Sequence, residues 1–160
     1  MKRNGLPLIF VVDDDAVYCN LLKDYLYDEK YRKVEIFSSG EECIANMHKK
    51  PEIVLLDHSM DSMNGIEVLK KINKSHPDTG VIFLSGQERV QVALDALRSG
   101  AFDYIVKNDS AFHRLKMDII RVRKFNKMIS ENTFYKKQIR AMTIGFLVMA
   151  LLIGSVIILS

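Results

Sequence analysis

The sequence predicts an α/β domain built on a doubly wound five-stranded parallel sheet. Five short apolar runs alternate with helical spacing across the first 110 residues. The connections between them are short, which calls for right-handed crossovers with helices on both faces of the sheet. Four of the five runs also end in polar side chains, at the edge where open parallel sheets bind ligands.

The first run, Leu8-Ile9-Phe10-Val11-Val12, ends in Asp13 and Asp14. Val17, Leu21, Leu22, Tyr25 and Leu26 then recur at helical spacing behind Asp15, a suitable N-cap. Val34 to Phe37 alternates like a short strand. Ser39-Gly40-Glu41-Glu42 has the form of a capping box and opens a helix through Ile44 and Met47, closed by Pro51. Ile53 to Leu56 is apolar throughout, as a strand covered on both faces should be, and ends in Asp57. Asn64-Gly65 turns the chain into a helix carrying Ile66, Leu69 and Ile72, which Pro77 ends. Val81 to Leu84 leads to Ser85, and Val90, Ala93, Leu94 and Leu97 mark a helix stopped at Gly100. Tyr104-Ile105-Val106 leads to Lys107, and a fifth helical pattern begins near Ser110.

This last pattern outruns an ordinary domain. No Pro or Gly occurs from 110 to 143, and Leu115, Ile119, Val122 and Ile129 keep one stripe as far as Ser130. Asn132, Thr133 and Lys136 then interrupt it, leaving the heptad too weak to favour a coiled coil. Charge divides the chain the same way. Residues 1–112 hold 14 basic and 18 acidic groups, residues 113–140 hold 9 and 2, and residues 141–160 hold none. Twenty uncharged helical residues span roughly 30 Å, a bilayer's hydrocarbon thickness. The segment 141–160 is therefore expected to be a transmembrane helix. Arg121, Arg123, Lys124, Lys127, Lys136, Lys137 and Arg140 before it place the domain on the cytoplasmic side of the cell membrane. The same charges lack the aromatic interleaving and motifs of a nucleic-acid binder, so no nucleic acid is expected. Cys19 and Cys43, 24 positions apart and inside helical patterns, read as reduced thiols of a cytosolic domain.

The polar strand ends supply three carboxylates, a hydroxyl and an ammonium. Three crowded carboxylates require a proton or a cation, and an oxygen-only ligand set from Asp13, Asp14 and Asp57 suits Mg²⁺. A metal-bound Asp57 with Ser85 and Lys107 beside it is a receptor for a phosphoryl group: the carboxylate attacks and the cations and hydroxyl neutralise the phosphoryl oxygens. His58 is expected to face solvent rather than to act as a ligand.

Residues 7 to about 124 resemble a response-regulator receiver domain of two-component signalling. The resemblance lies in Val-Val-Asp13-Asp14, Leu-Leu-Asp57 with Met60 and Asn64-Gly65, Leu84-Ser85-Gly86, and the run from Gly100 to Lys107. It implies a flavodoxin-like fold of strand order 2-1-3-4-5 and Asp57 as phosphoacceptor. It further implies that Asp13, Asp14 and the Ser59 backbone carbonyl complete the Mg²⁺ site. Ser85 would close on the phosphate, and Tyr104 would be the aromatic switch on the face of the fourth helix, last strand and fifth helix, where a homodimer could form. Asp61 and Asn108 stand where the family usually has proline, so no cis peptide is expected after Lys107.

The organisation expected is a receiver at 1–124, a basic juxtamembrane helical linker at 125–140 and a transmembrane helix at 141–160. Its function would be to accept a phosphoryl group from a histidine kinase or phosphotransfer protein and to signal through protein contacts. It would catalyse its own phosphorylation and dephosphorylation without turning over an external substrate. Two rivals are an aspartate-nucleophile phosphatase, which Ser59 argues against because the haloacid dehalogenase type needs Asp there, and a receiver-like membrane adaptor that is never phosphorylated.

Overall fold

The computed structural model describes residues 5–60, 63–86 and 89–159, the last twelve of these by backbone alone. Five strands, β1 (Leu8–Val12), β2 (Lys33–Phe37), β3 (Ile53–Asp57), β4 (Gly80–Ser85) and β5 (Asp103–Val106), alternate with five helices. These are α1 (Ala16–Asp28), α2 (Gly40–Asn46), α3 (Gly65–Ser75), α4 (Val90–Arg98) and α5 (Ala111–Leu159). All strand pairings are parallel, in the order β2-β1-β3-β4-β5, which is the flavodoxin-like arrangement.

Alternation along the strands divides the core into two layers. Phe10, Val12, Val54, Leu56, Val81, Phe83 and Tyr104 face one side, against Cys43, Val68, Leu69, Ile72 and Ala96. Ile9, Val11, Ile53, Leu55, Ile82, Leu84 and Ile105 face the other, against Cys19, Leu22, Leu26, Leu115, Ile119 and Val122. Each such large side chain contributes about 1.5–3 kcal/mol by leaving water. β3, central in the sheet, is buried at every residue including Asp57, as its unbroken apolar run requires.

Several helix faces differ from the sequence expectation. In α1 the buried residues are Cys19, Leu22 and Leu26, whereas Val17 and Leu21 are exposed; the free thiol at 19 serves as the apolar residue that Val17 was expected to be. In α4, Ala96 is buried while Val90, Leu94 and Leu97 face outward. The box at Ser39 is displaced: Ser39 Oγ accepts from the Glu42 amide, but the Glu42 carboxylate reaches the amide of Ser38 instead of Ser39. α2 gives way to a 3-10 turn at Met47–Lys49, and Lys50 in the left-handed region ends it before Pro51. Gly100, at φ +96°, closes α4 as expected, the amide of Ala101 donating to Ala96 O and that of Gly100 to Leu97 O. Among the described residues no peptide bond is cis.

The chain divides into two units between Arg123 and Lys124, with α5 contributing to both. Among the described residues no helix is long and apolar enough to cross a membrane. The backbone is helical to Leu159, and most of the expected span, residues 148–160, lies outside the residues described in full.

Candidate phosphoryl-acceptor site

Strand register assembles the site. Val12 pairs with Leu56, so Asp13 and Asp57 leave neighbouring strands at the same level. Asp57 pairs with Leu84, which carries Ser85 one step farther out on β4. Ser85 pairs with Val106, and the next amide, that of Lys107, donates to Ser85 O at 2.8 Å. Four strand ends are thereby stepped around one point.

Lys107 closes the cluster. Its Nζ lies 2.6 Å from Asp13 Oδ2 and 2.8 Å from Asp57 Oδ1. Oxygens of Asp13, Asp14 and Asp57 approach within 4.8 Å of one another, with Asp14 exposed and the other two buried. The remaining oxygens are oriented by backbone: Asp13 Oδ1 accepts from the Asp15 amide at 3.0 Å, and Asp57 Oδ2 from the Ser59 amide at 2.6 Å. Each carboxylate oxygen keeps further lone-pair capacity, so this all-oxygen set fits a hard divalent cation.

The electrostatics follow from burial and pairing. Burial raises the Asp13 pKa above the ordinary value of 3.8; the hydrogen bonds from Lys107 and the Asp15 amide oppose the rise without cancelling it. Burial alone would lower the Lys107 amine, yet its hydrogen bonds to Asp13 and Asp57 prevail and its pKa is raised above 10.5. The lysine is therefore a fixed cation between two acceptors. Its ammonium also sits 4.4 Å from the centre of the Tyr18 ring, a cation–π contact.

Tyr18 is the functional neighbour that sequence reasoning missed. The signal was present: phasing α1 on Cys19, Leu22 and Leu26 puts Tyr18 at the sheet-facing start of the helix. Gly65, read in the sequence as part of a turn, also shapes the site. A Cβ built there would lie 2.5 Å from Asp57 O and 2.8 Å from a Phe83 ring carbon, so α3 can start this close to the acceptor loop only from glycine. Asn64 caps that helix through the Ile66 amide.

Asp13, Asp14, Asp57 and Lys107 thus meet as expected, and Ser85 is buried at the adjoining strand end. Ser59 lies in the acceptor loop, joined to Asp57 through its amide. Tyr104 is only 6% exposed and its ring stacks on Phe83, 6.3 Å between centroids. His58 departs from the solvent-facing expectation: it is half-buried, with Nδ1 3.2 Å from Ser59 Oγ and its ring 6.2 Å from that of Phe83. Asp61 lies outside the described residues.

A parallel sheet with an acidic cluster and a bridging lysine at its strand ends defines a receiver, the module of two-component signalling that takes a phosphoryl group on an aspartate. The chain belongs to the response regulator receiver domain family, which matches residues 9–117. It is 37% identical over 100 residues to the transcriptional regulatory protein ZraR of Klebsiella oxytoca, covering 62% of this chain and 22% of that protein. It is 33% identical over 100 residues to the chemotaxis protein CheY of Thermotoga maritima, covering 62% of this chain and 83% of CheY. The signal receiver domain of a putative LuxO repressor protein from Vibrio parahaemolyticus superposes with a TM-score of 0.72 at 28% identity, over 79% of this chain and 96% of that one. The chain spans 22% of the ZraR regulator and 27% of the LuxO regulator it matches.

Proposed function

We propose that this chain is a membrane-tethered receiver that accepts a phosphoryl group on Asp57 from the phosphohistidine of a sensor kinase or phosphotransfer protein and signals by binding other proteins. The observation that carries this reading is the Lys107 ammonium held within 2.8 Å of both Asp13 and Asp57. A cation fixed there withdraws charge from the space a phosphoryl group must enter. The Asp57 carboxylate supplies the nucleophilic oxygen: an O–P bond forms, the P–N bond to imidazole breaks, and the imidazole keeps the electron pair. The Ser59 amide fixes the orientation of the attacking carboxylate, and Ser85 and Lys107 contact the phosphoryl oxygens. Asp13, Asp14, Asp57 and the Ser59 carbonyl would hold Mg²⁺, which when bound neutralises charge on the transferring group. Tyr104 carries the change toward the face of α4, β5 and α5.

Incubating the domain with acetyl phosphate and Mg²⁺ should add the mass of one phosphoryl group, and Asp57→Asn should abolish the addition. A product that survives Asp57→Asn sinks the assignment.

The tether rests on the sequence: twenty uncharged residues, 141–160, follow seven basic residues between 121 and 140. That charge asymmetry favours a receiver on the cytoplasmic face of the cell membrane. Fractionating cells that express the chain with and without residues 141–160 tests it, since the tethered reading requires the membrane-bound fraction to become soluble on truncation.

A further inference from the structure

We propose that Tyr18 is a positioning residue for phosphoryl transfer: its ring face holds the Lys107 ammonium where it can bridge Asp13 and Asp57. The role rests on the receiver reading above. An ammonium carries three N–H donors. Asp13 Oδ2 takes one at 2.6 Å and Asp57 Oδ1 another at 2.8 Å. Two contacts fix a line, and a long flexible side chain can still swing about it. The Tyr18 ring, its centre 4.4 Å from Nζ, supplies the third point and receives the remaining N–H on its electron-rich face. The lysine side chain is only 18% exposed, so water competes poorly for that N–H.

The ring is itself held in place. Asp15 Oδ1 accepts from the amides of Val17 and Tyr18 at 2.9 and 3.1 Å, anchoring the first turn of α1. The Cys19 thiol donates to the Asp13 carbonyl at 3.4 Å and ties the next residue to the acidic loop. Tyr18 packs, half-buried, on the core layer shared by α1 and α5. Burial raises its pKa above 10.0, with Lys107 opposing the rise and the carboxylates of Asp13 and Asp57 adding to it. A neutral ring therefore meets the ammonium, and phenylalanine should serve as well. Phosphoryl transfer moves negative charge from the Asp57 carboxylate outward onto the phosphoryl oxygens. The N–H that served Asp57 must follow that charge, while Asp13 pulls the ammonium the other way. With the ring as pivot, the positive charge stays where the oxygens arrive. Without it, the ammonium takes up water and settles on Asp13.

The test uses the full chain in detergent. After labelling with [13Cε]lysine, the Lys107 ε-methylene protons are identified by their loss in Lys107→Met. The ring current should shift them upfield in the wild type and in Tyr18→Phe, but not in Tyr18→Leu. An ordinary lysine position in the wild type overturns the contact. Labelling of Asp57 by acetyl phosphate and Mg²⁺ should be about tenfold slower in Tyr18→Leu and within about twofold of wild type in Tyr18→Phe. In a Lys107→Met background, Tyr18→Leu should cost less than about twofold, because the ring acts through the lysine. An equal loss in both backgrounds shows a merely structural ring and overturns the role. So does a Tyr18→Phe variant as slow as Tyr18→Leu, or a Tyr18→Leu variant as fast as the wild type. Failure of the receiver reading looks different: the wild type then takes no phosphoryl group while the lysine resonance keeps its upfield shift.

Discussion

Replacing Lys107 by Met keeps most of the side chain's bulk and removes the one charge that bridges Asp13 and Asp57. The lysine side chain is 18% exposed and its partners 5% and 7%, so the variant leaves two largely buried carboxylates facing each other. Breaking a buried pair by removing one partner costs about 3–5 kcal/mol. Solvent access at the lysine end favours the lower figure, about 3 kcal/mol, or a Tm lower by roughly 10 °C for a domain of this size. The pH dependence has a definite sign. Asp13 has a raised folded pKa, so its ionisation opposes folding above that pKa and ceases to do so as pH falls. Without Lys107 the pKa climbs further, and the deficit of the variant should shrink as pH falls through that raised value. In the wild type the raised Lys107 pKa acts the other way at the alkaline end: its stabilisation is complete below 10.5 and lost as pH rises beyond the folded value. Urea titrations followed by circular dichroism, at several pH values in EDTA and again in millimolar Mg²⁺, measure all of this. Mg²⁺ should recover more stability in the variant than in the wild type. A variant as stable as the wild type in EDTA at pH 8 would show that the ion pair contributes nothing and that the charge argument for the site is wrong.

Gly65→Ala should destabilise the domain by about 1–3 kcal/mol, because the new methyl meets the Asp57 carbonyl, and should slow acetyl phosphate labelling; unchanged denaturation and labelling curves would refute the close approach. Asp14→Asn should weaken Mg²⁺ binding about tenfold or more by calorimetry while moving stability by less than about 0.5 kcal/mol, since the residue is exposed. Asp118, buried on α5 near Asp103, has its pKa raised to about 6 by burial and by that second carboxylate. Its ionisation therefore opposes folding above pH 6, and Asp118→Asn should stabilise the domain at pH 7–8 by about 1–3 kcal/mol, a gain that fades as pH falls toward 4. Thermal denaturation across that range decides it.

What the sequence disclosed about the fold and the site was whatever repeated or ended abruptly. β3 announced itself because a strand buried on both faces has no polar positions to blur it, and the residue after such a run can only emerge at the sheet edge. The same reasoning brings Asp13, Ser85 and Lys107 to that edge. Where one position could serve two purposes, the pattern misled. Val17 and Leu21 have the spacing of a core stripe, yet Cys19 is apolar enough to replace them, and hydropathy alone cannot rank the two phases. The same ambiguity hid Tyr18, whose ring carries the bridging ammonium. α4 shows the converse. Its apolar residues were read as core because apolar residues usually are, but the alanines and Val92 suffice to seat the helix, and Val90, Leu94 and Leu97 are turned outward. In α5 the periodicity changes beyond Arg123: one phase, that of Leu115, Ile119 and Val122, belongs to the sheet, and the apolar residues past Lys124 follow another. A single stripe fitted across both looks ragged at Asn132, and fitted separately each is regular.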